Sequence, residues 1–128
     1  MRLSARTIKN FNNVNSFDYS TEWNIRAGEA NTLYFQLVDL DQDGLRYMPT
    51  NASCSVQLTF PALNPLNVIV KPATQADPLD RSVWKVSLSD TEVPSSGNVQ
   101  LSLTEGGVVK KASLLDAIVV EKINNGGC

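Results

Sequence analysis

From Trp23 onward, apolar and polar residues alternate in short runs. Leu33, Phe35 and Leu37 alternate with Thr32, Tyr34 and Gln36, and Cys54, Val56, Leu58 and Phe60 alternate with Ser53, Ser55, Gln57 and Thr59. The same period of two recurs in Trp84, Val86 and Leu88 and again in Val99, Leu101 and Leu103. A period of two is the mark of a strand with one buried face. Shorter apolar runs at Trp23-Asn24-Ile25, Val68-Ile69-Val70 and Ile118-Val119-Val120 predict further strands. Turn-forming residues separate them: Ala27-Gly28-Glu29, the acidic stretch from Asp39 to Gly44, Pro61, a loop from Pro72 to Pro78, Pro94 to Asn98, and the hairpin signal Gly106-Gly107. Many short strands at near-regular spacing, with no helical period, predict an all-β chain forming a single antiparallel β-sandwich. Its predicted core is Leu33, Phe35, Leu37, Val56, Leu58, Phe60, Trp84, Val86, Leu88, Leu101 and Leu103. The outward positions, such as Gln36, Gln57, Thr59, Gln100 and Ser102, are polar but uncharged and suit strands that meet other proteins.

The first 21 residues read differently. They are rich in Asn and Ser, and their apolar residues Ile8, Phe11, Val14 and Phe17 fall three apart, followed by Tyr19. That spacing is helical, but dense Asn and Ser oppose a helix. The segment is expected to be an extended N-terminal arm that orders on a neighbour, with Ile8, Phe11, Val14, Phe17 and Tyr19 as its interface anchors; a frayed terminus is the alternative. The expected organisation is therefore an arm over residues 1–21, a sandwich over 22–123 and a flexible tail over 124–128.

Composition narrows the chemistry. The chain has 128 residues, 42% hydrophobic and 19% charged, a globular balance for one domain. A formal charge of -2 with scattered Lys and Arg gives no footprint for nucleic acid. No apolar run approaches the ~20 residues that span a bilayer, and no apolar leader segment follows the first basic residues. There is no histidine, which removes Ser–His–Asp and Cys–His catalysis and most catalytic zinc sites. No catalytic residue, metal or cofactor is expected.

Asp39, Asp41, Asp43 and Gly44 match the opening of a calcium loop, but Thr50 stands where the closing bidentate Glu belongs. A surface turn is the expectation there. Asn51-Ala52-Ser53 is a glycosylation sequon with no expected route to a transferase. Asp77, Asp80, Asp90 and Glu92 are expected to be solvated loop carboxylates rather than a paired acid and base. Trp84 is expected in the core. Cys54 is expected to be buried and Cys128 exposed.

Two longer stretches carry a resemblance. The first runs G-E-A-N-T-L-Y-F-Q-L-V-D-L-D-Q-D-G from Gly28 to Gly44, followed by N-A-S-C-S-V-Q-L-T-F from Asn51 to Phe60. The second runs W-K-V-S-L-S-D-T-E-V-P-S-S-G-N-V-Q-L-S-L-T-E-G-G from Trp84 to Gly107, then I-V-V-E from Ile118 to Glu121. In order and spacing this resembles the immunoglobulin-like N-terminal domain of phage baseplate upper proteins and related tail-fibre and head-fibre docking modules. Asn98-Val99 stands where that family often has an aromatic after its P-x-x-G corner, and the family's long fibrous continuation has no counterpart here. The resemblance implies a bacteriophage virion structural protein, a docking module at the tail, collar or baseplate. It would be made in the bacterial cytoplasm and built in multiple copies into a symmetric assembly with other virion proteins. A capsid decoration or cement protein is the alternative. A carbohydrate-binding module ranks below both, because most aromatics fall on predicted core positions.

Overall fold

The computed structural model describes residues 1–49, 54–62, 68–114 and 117–121. Thr50, the sequon at Asn51, the tail over 124–128 and Cys128 lie outside the described residues. The chain is all-β. Its strands are β1 (Leu3–Asn13), β2 (Ser16–Tyr19), β3 (Glu22–Arg26), β4 (Asn31–Asp39), β5 (Leu45–Arg46), β6 (Ser55–Phe60), β7 (Ile69–Gln75), β8 (Val83–Leu88), β9 (Gln100–Glu105), β10 (Val108–Ser113) and β11 (Ala117–Glu121).

A large antiparallel sheet runs in the order β10-β9-β6-β7-β8-β4-β1-β2, with β5 paired to β4. The strand that joins its two halves is β7. Its residues from Ile69 to Ala73 pair with β6, and Thr74 and Gln75 pair with β8. Strand β1, next to one end of the sheet, approaches β10 at the other end through a parallel bridge between Ala5 and Leu114 and a 2.6 Å hydrogen bond from Ser4 Oγ to the Ser113 carbonyl. A second, two-stranded parallel sheet pairs β11 with β3.

This curled sheet surrounds one apolar core. Phe35 lies opposite Trp84 and Leu33 opposite Val86 in the β4–β8 ladder. Val56 lies opposite Leu103 and Leu58 opposite Leu101 in the β6–β9 ladder. All the core positions expected from the alternation are buried in a single cluster. Both indole N–H groups have partners, Trp84 Nε1 on the Arg81 carbonyl at 2.7 Å and Trp23 Nε1 on the Tyr34 carbonyl at 2.9 Å. A buried tryptophan without such a partner would forfeit a hydrogen bond to water. Gly106 and Gly107, both at positive φ, form the expected two-residue hairpin between β9 and β10. The stretch from Asp39 to Gly44 is the expected turn: Asp39 accepts from the Asp41 amide, and Asp43 and Gly44 adopt left-handed φ.

Three expectations need correction. Residues 1–21 do not form an arm separate from the domain. Strand β1 pairs with β4 from Leu3↔Asp39 to Ile8↔Tyr34, and Leu3 and Ala5 sit in the core beside Leu37 and Phe35. The β4 edge supplies, within the same chain, the partner that the arm was expected to find on a neighbour. Strand β7 also continues through Pro72, which was read as the start of a loop. Proline is tolerated because the strand has only β6 as a neighbour there, so the missing N–H faces no ladder. Gln36 is buried rather than outward and solvated, for reasons that belong to the site described next.

Candidate interaction site

Past Ile8, strand β1 leaves β4 and pairs only with β2. The departure is made by an irregularity between Lys9 and Asn13, with Asn10 at φ 52. A left-handed residue in a strand is a bulge, and Asn is among the residues that tolerate it. The bulge resolves the three-residue spacing noted in the sequence. In an unbroken strand Ile8 and Phe11 would point to opposite faces. With the extra residue, Phe11 returns to the face of Ile8 and stacks on Tyr34, ring centroids 4.4 Å apart.

Other rings join this pair. Phe17 lies 6.0 Å from Phe11 and 5.4 Å from Tyr19, edge-on to the latter. The Arg6 guanidinium sits 5.3 Å from the Tyr19 ring centroid. The Tyr19 hydroxyl donates to Gln36 Oε1. Gln36 Nε2 donates to Ser82 Oγ at 3.3 Å, and Ser82 Oγ donates to Asp80 Oδ1 at 2.6 Å. Arg46 Nη1 closes the chain on Asp80 Oδ2 at 3.1 Å. This polar file explains the burial of Gln36, Ser82 and Asp80: each polar group has a protein partner, so the loss of water is compensated. It also corrects the reading of Asp80 as a solvated carboxylate.

The five expected anchors therefore divide. Phe11, Phe17 and Tyr19 meet on one outward face, the first two half-buried and Tyr19 exposed. Ile8 is only 3% exposed, covered by this domain's own side chains. Val14 sits half-buried in the turn between β1 and β2, apart from the rings. Tyr34 and Arg6 were missed. Tyr34 carried a usable signal, since it occupies an outward register position on a strongly alternating strand.

The separation of β1 from β4 opens a cleft of about 520 Å3 between the hairpin and strands β3 and β4. Phe11 and Tyr34 form one wall, and Lys9, Glu22, Asn24 and Thr32 line it with polar groups. Among the described residues, none of those four polar side chains is engaged by a hydrogen bond or ion pair. Two other loop carboxylates, Asp77 and Glu92, hold local structure, Asp77 accepting from the Leu79 amide at 2.9 Å. Glu92 holds Lys71 Nζ at 3.0 Å, and the Ser89 amide and Lys71 keep its carboxyl below the usual range. Asp41 pairs with Arg2 at 2.8 Å. Among the described residues no group of His, Cys, Asp and Glu side chains is gathered to hold a metal.

A ring cluster beside an open cleft lined by both aromatic and polar side chains is an arrangement equipped to bind. Neither the protein-family models nor the curated proteins match this chain. The functional reading therefore rests on the residues and their geometry.

Proposed function

We propose that this chain is a non-catalytic docking module of a bacteriophage particle, with an immunoglobulin-like fold, attached to other virion proteins in multiple copies. The sheet order supports the fold reading. The run β1-β4-β8-β7 has the order of the A-B-E-D sheet of such domains, and β6-β9-β10 that of the C-F-G sheet. On this reading β2 is an addition that turns the first strand into a hairpin. The motif order from Gly28 to Glu121 supports the phage assignment.

One observation carries the docking role. The last strand of the sheet, β2, presents Phe17 and Tyr19 beside an edge that is unpaired among the described residues. An exposed tyrosine backed by a guanidinium, with a half-buried phenylalanine beside it, is a composition that protein interfaces concentrate, and an open strand edge adds main-chain hydrogen bonds. Quantitative mass spectrometry of purified particles tests the role. A few to a few dozen copies per particle places the protein at the tail, and hundreds support the decoration reading. Absence from particles ends both. The variant Phe17→Ser is expected to fold and to lose incorporation.

A further inference from the structure

The cleft behind the hairpin does not need a protein to fill it. Its volume of about 520 Å3 falls in the range of small-molecule sites, which run ~300–1,000 Å3. Its lining combines an apolar aromatic wall with polar groups that this chain leaves unused. Phe11 and Tyr34 stand with an interplanar angle of 18°, so the pair is a fixed wall rather than two independent rings. Trp23, whose indole N–H donates to the Tyr34 carbonyl, also lines the cleft. The lining further includes an amide, Asn24, a hydroxyl, Thr32, and one charge of each sign, Lys9 and Glu22.

We propose that this cleft binds a neutral saccharide. The charge balance excludes a preference for anions, since Lys9 is offset by Glu22 in the same lining. A purely apolar ligand would leave the amide, hydroxyl, ammonium and carboxylate desolvated without partners, at a cost for each. A sugar ring satisfies both halves. Its C–H groups pack against the aromatic rings of the lining, and its hydroxyls donate and accept together, as Asn24, Thr32, Lys9 and Glu22 require. Most aromatics do fall in or against the core, but Phe11, Phe17, Tyr19 and Tyr34 lie outside the core cluster and supply rings for a ligand. The inference does not depend on the docking role, although Tyr19 belongs both to the cleft lining and to the docking face.

An NMR titration of the full chain with cellotetraose, maltotetraose and N-acetylchitotetraose tests it. At least one is expected to shift the amides of Lys9, Phe11, Asn24 and Thr32 saturably. Asn24→Ala with Thr32→Val, both at exposed positions, is expected to weaken that binding about tenfold, the loss of one or two polar contacts. Gln57→Ala, on β6 away from the cleft, should leave it unchanged. No saturable shift with any of the three sugars overturns the proposal, as does binding indifferent to the double variant. Protection of the cleft by a peptide from a virion protein, rather than by a sugar, also overturns it. If Phe17→Ser still abolishes incorporation in any of those cases, the docking role stands alone.

Discussion

Phe35 and Trp84 face each other across the β4–β8 ladder, and both are buried. Trp23 meets Phe35 edge-on at 6.0 Å from the other side. The pair therefore ties the two central strands of the sheet to β3. Truncating either Phe35 or Trp84 to Ala removes a large side chain from a packed site and is expected to cost ~3–5 kcal/mol, transfer loss plus cavity. That is comparable with the stability of a whole domain. Urea unfolding measures it, and an unchanged midpoint for Trp84→Ala would refute this packing.

Tyr47 offers a test at alkaline pH. Its hydroxyl donates to Glu105 Oε2 at 2.5 Å, and burial first, then the Glu105 bond, push its pKa up to about 12 from an ordinary 10.0. Above pH 10 the unfolded chain gives up this proton before the folded chain does. The neutral tyrosine's contribution is therefore complete below pH 10 and is lost as pH rises towards 12. The difference in melting temperature between the parent protein and Tyr47→Phe is expected to shrink across that window. Equal pH profiles for the two proteins would show that the Tyr47–Glu105 contact does not persist in solution.

The central strands were legible in the sequence because one rule, alternation, decides them, and every core position it marked is buried. The first strand was not. In β1, Ser4 and Thr7 are buried beside Leu3, Ala5 and Ile8, so polarity no longer reports the face. Ser4 is satisfied by the Ser113 carbonyl and Thr7 by the Ser20 carbonyl, partners that only the folded chain supplies. The site was half legible. Its aromatics were singled out, but their meeting depends on the Asn10 bulge and on Tyr34, twenty-odd residues away in sequence but adjacent in the ladder.

The bulge itself makes a prediction. Asn10 has φ 52, which asparagine and glycine accept and a β-branched residue resists. Asn10→Gly is expected to change stability by less than ~0.5 kcal/mol, and Asn10→Val to cost ~1–2 kcal/mol. The valine variant should also weaken the near-ultraviolet signal of the Phe11–Tyr34 stack. Equal stability of the two variants would mean that the strand runs straight through residue 10.

Cys54 is half-buried against the core, and burial raises its thiol pKa. Little thiolate forms near neutral pH, and what forms is poorly accessible. In the native protein Cys54 should be alkylated far more slowly than in urea, with peptide mass spectrometry identifying the site. Labelling at the rate of an unfolded thiol would place Cys54 in solvent and displace the start of β6.

The strongest contrast between the chain's sequence and its structure lies in residues 1–21. A free arm can be deleted without affecting the fold. The structure gives the opposite expectation. Deletion takes Leu3 and Ala5 out of the core, each 9% exposed or less, and strips β4 of its partner from Tyr34 to Asp39. Loss of a buried leucine alone costs ~2–5 kcal/mol, and an uncovered central strand becomes an edge open to aggregation. The truncated protein should therefore lose its cooperative transition or precipitate. Phe17→Ser, on the hairpin's outer strand, should change stability by only ~1 kcal/mol or less. Thermal unfolding of the two variants side by side separates the cases. A truncated protein that melts cooperatively at the parent temperature would show that β1 and β2 are an arm after all, and that the core closes without them.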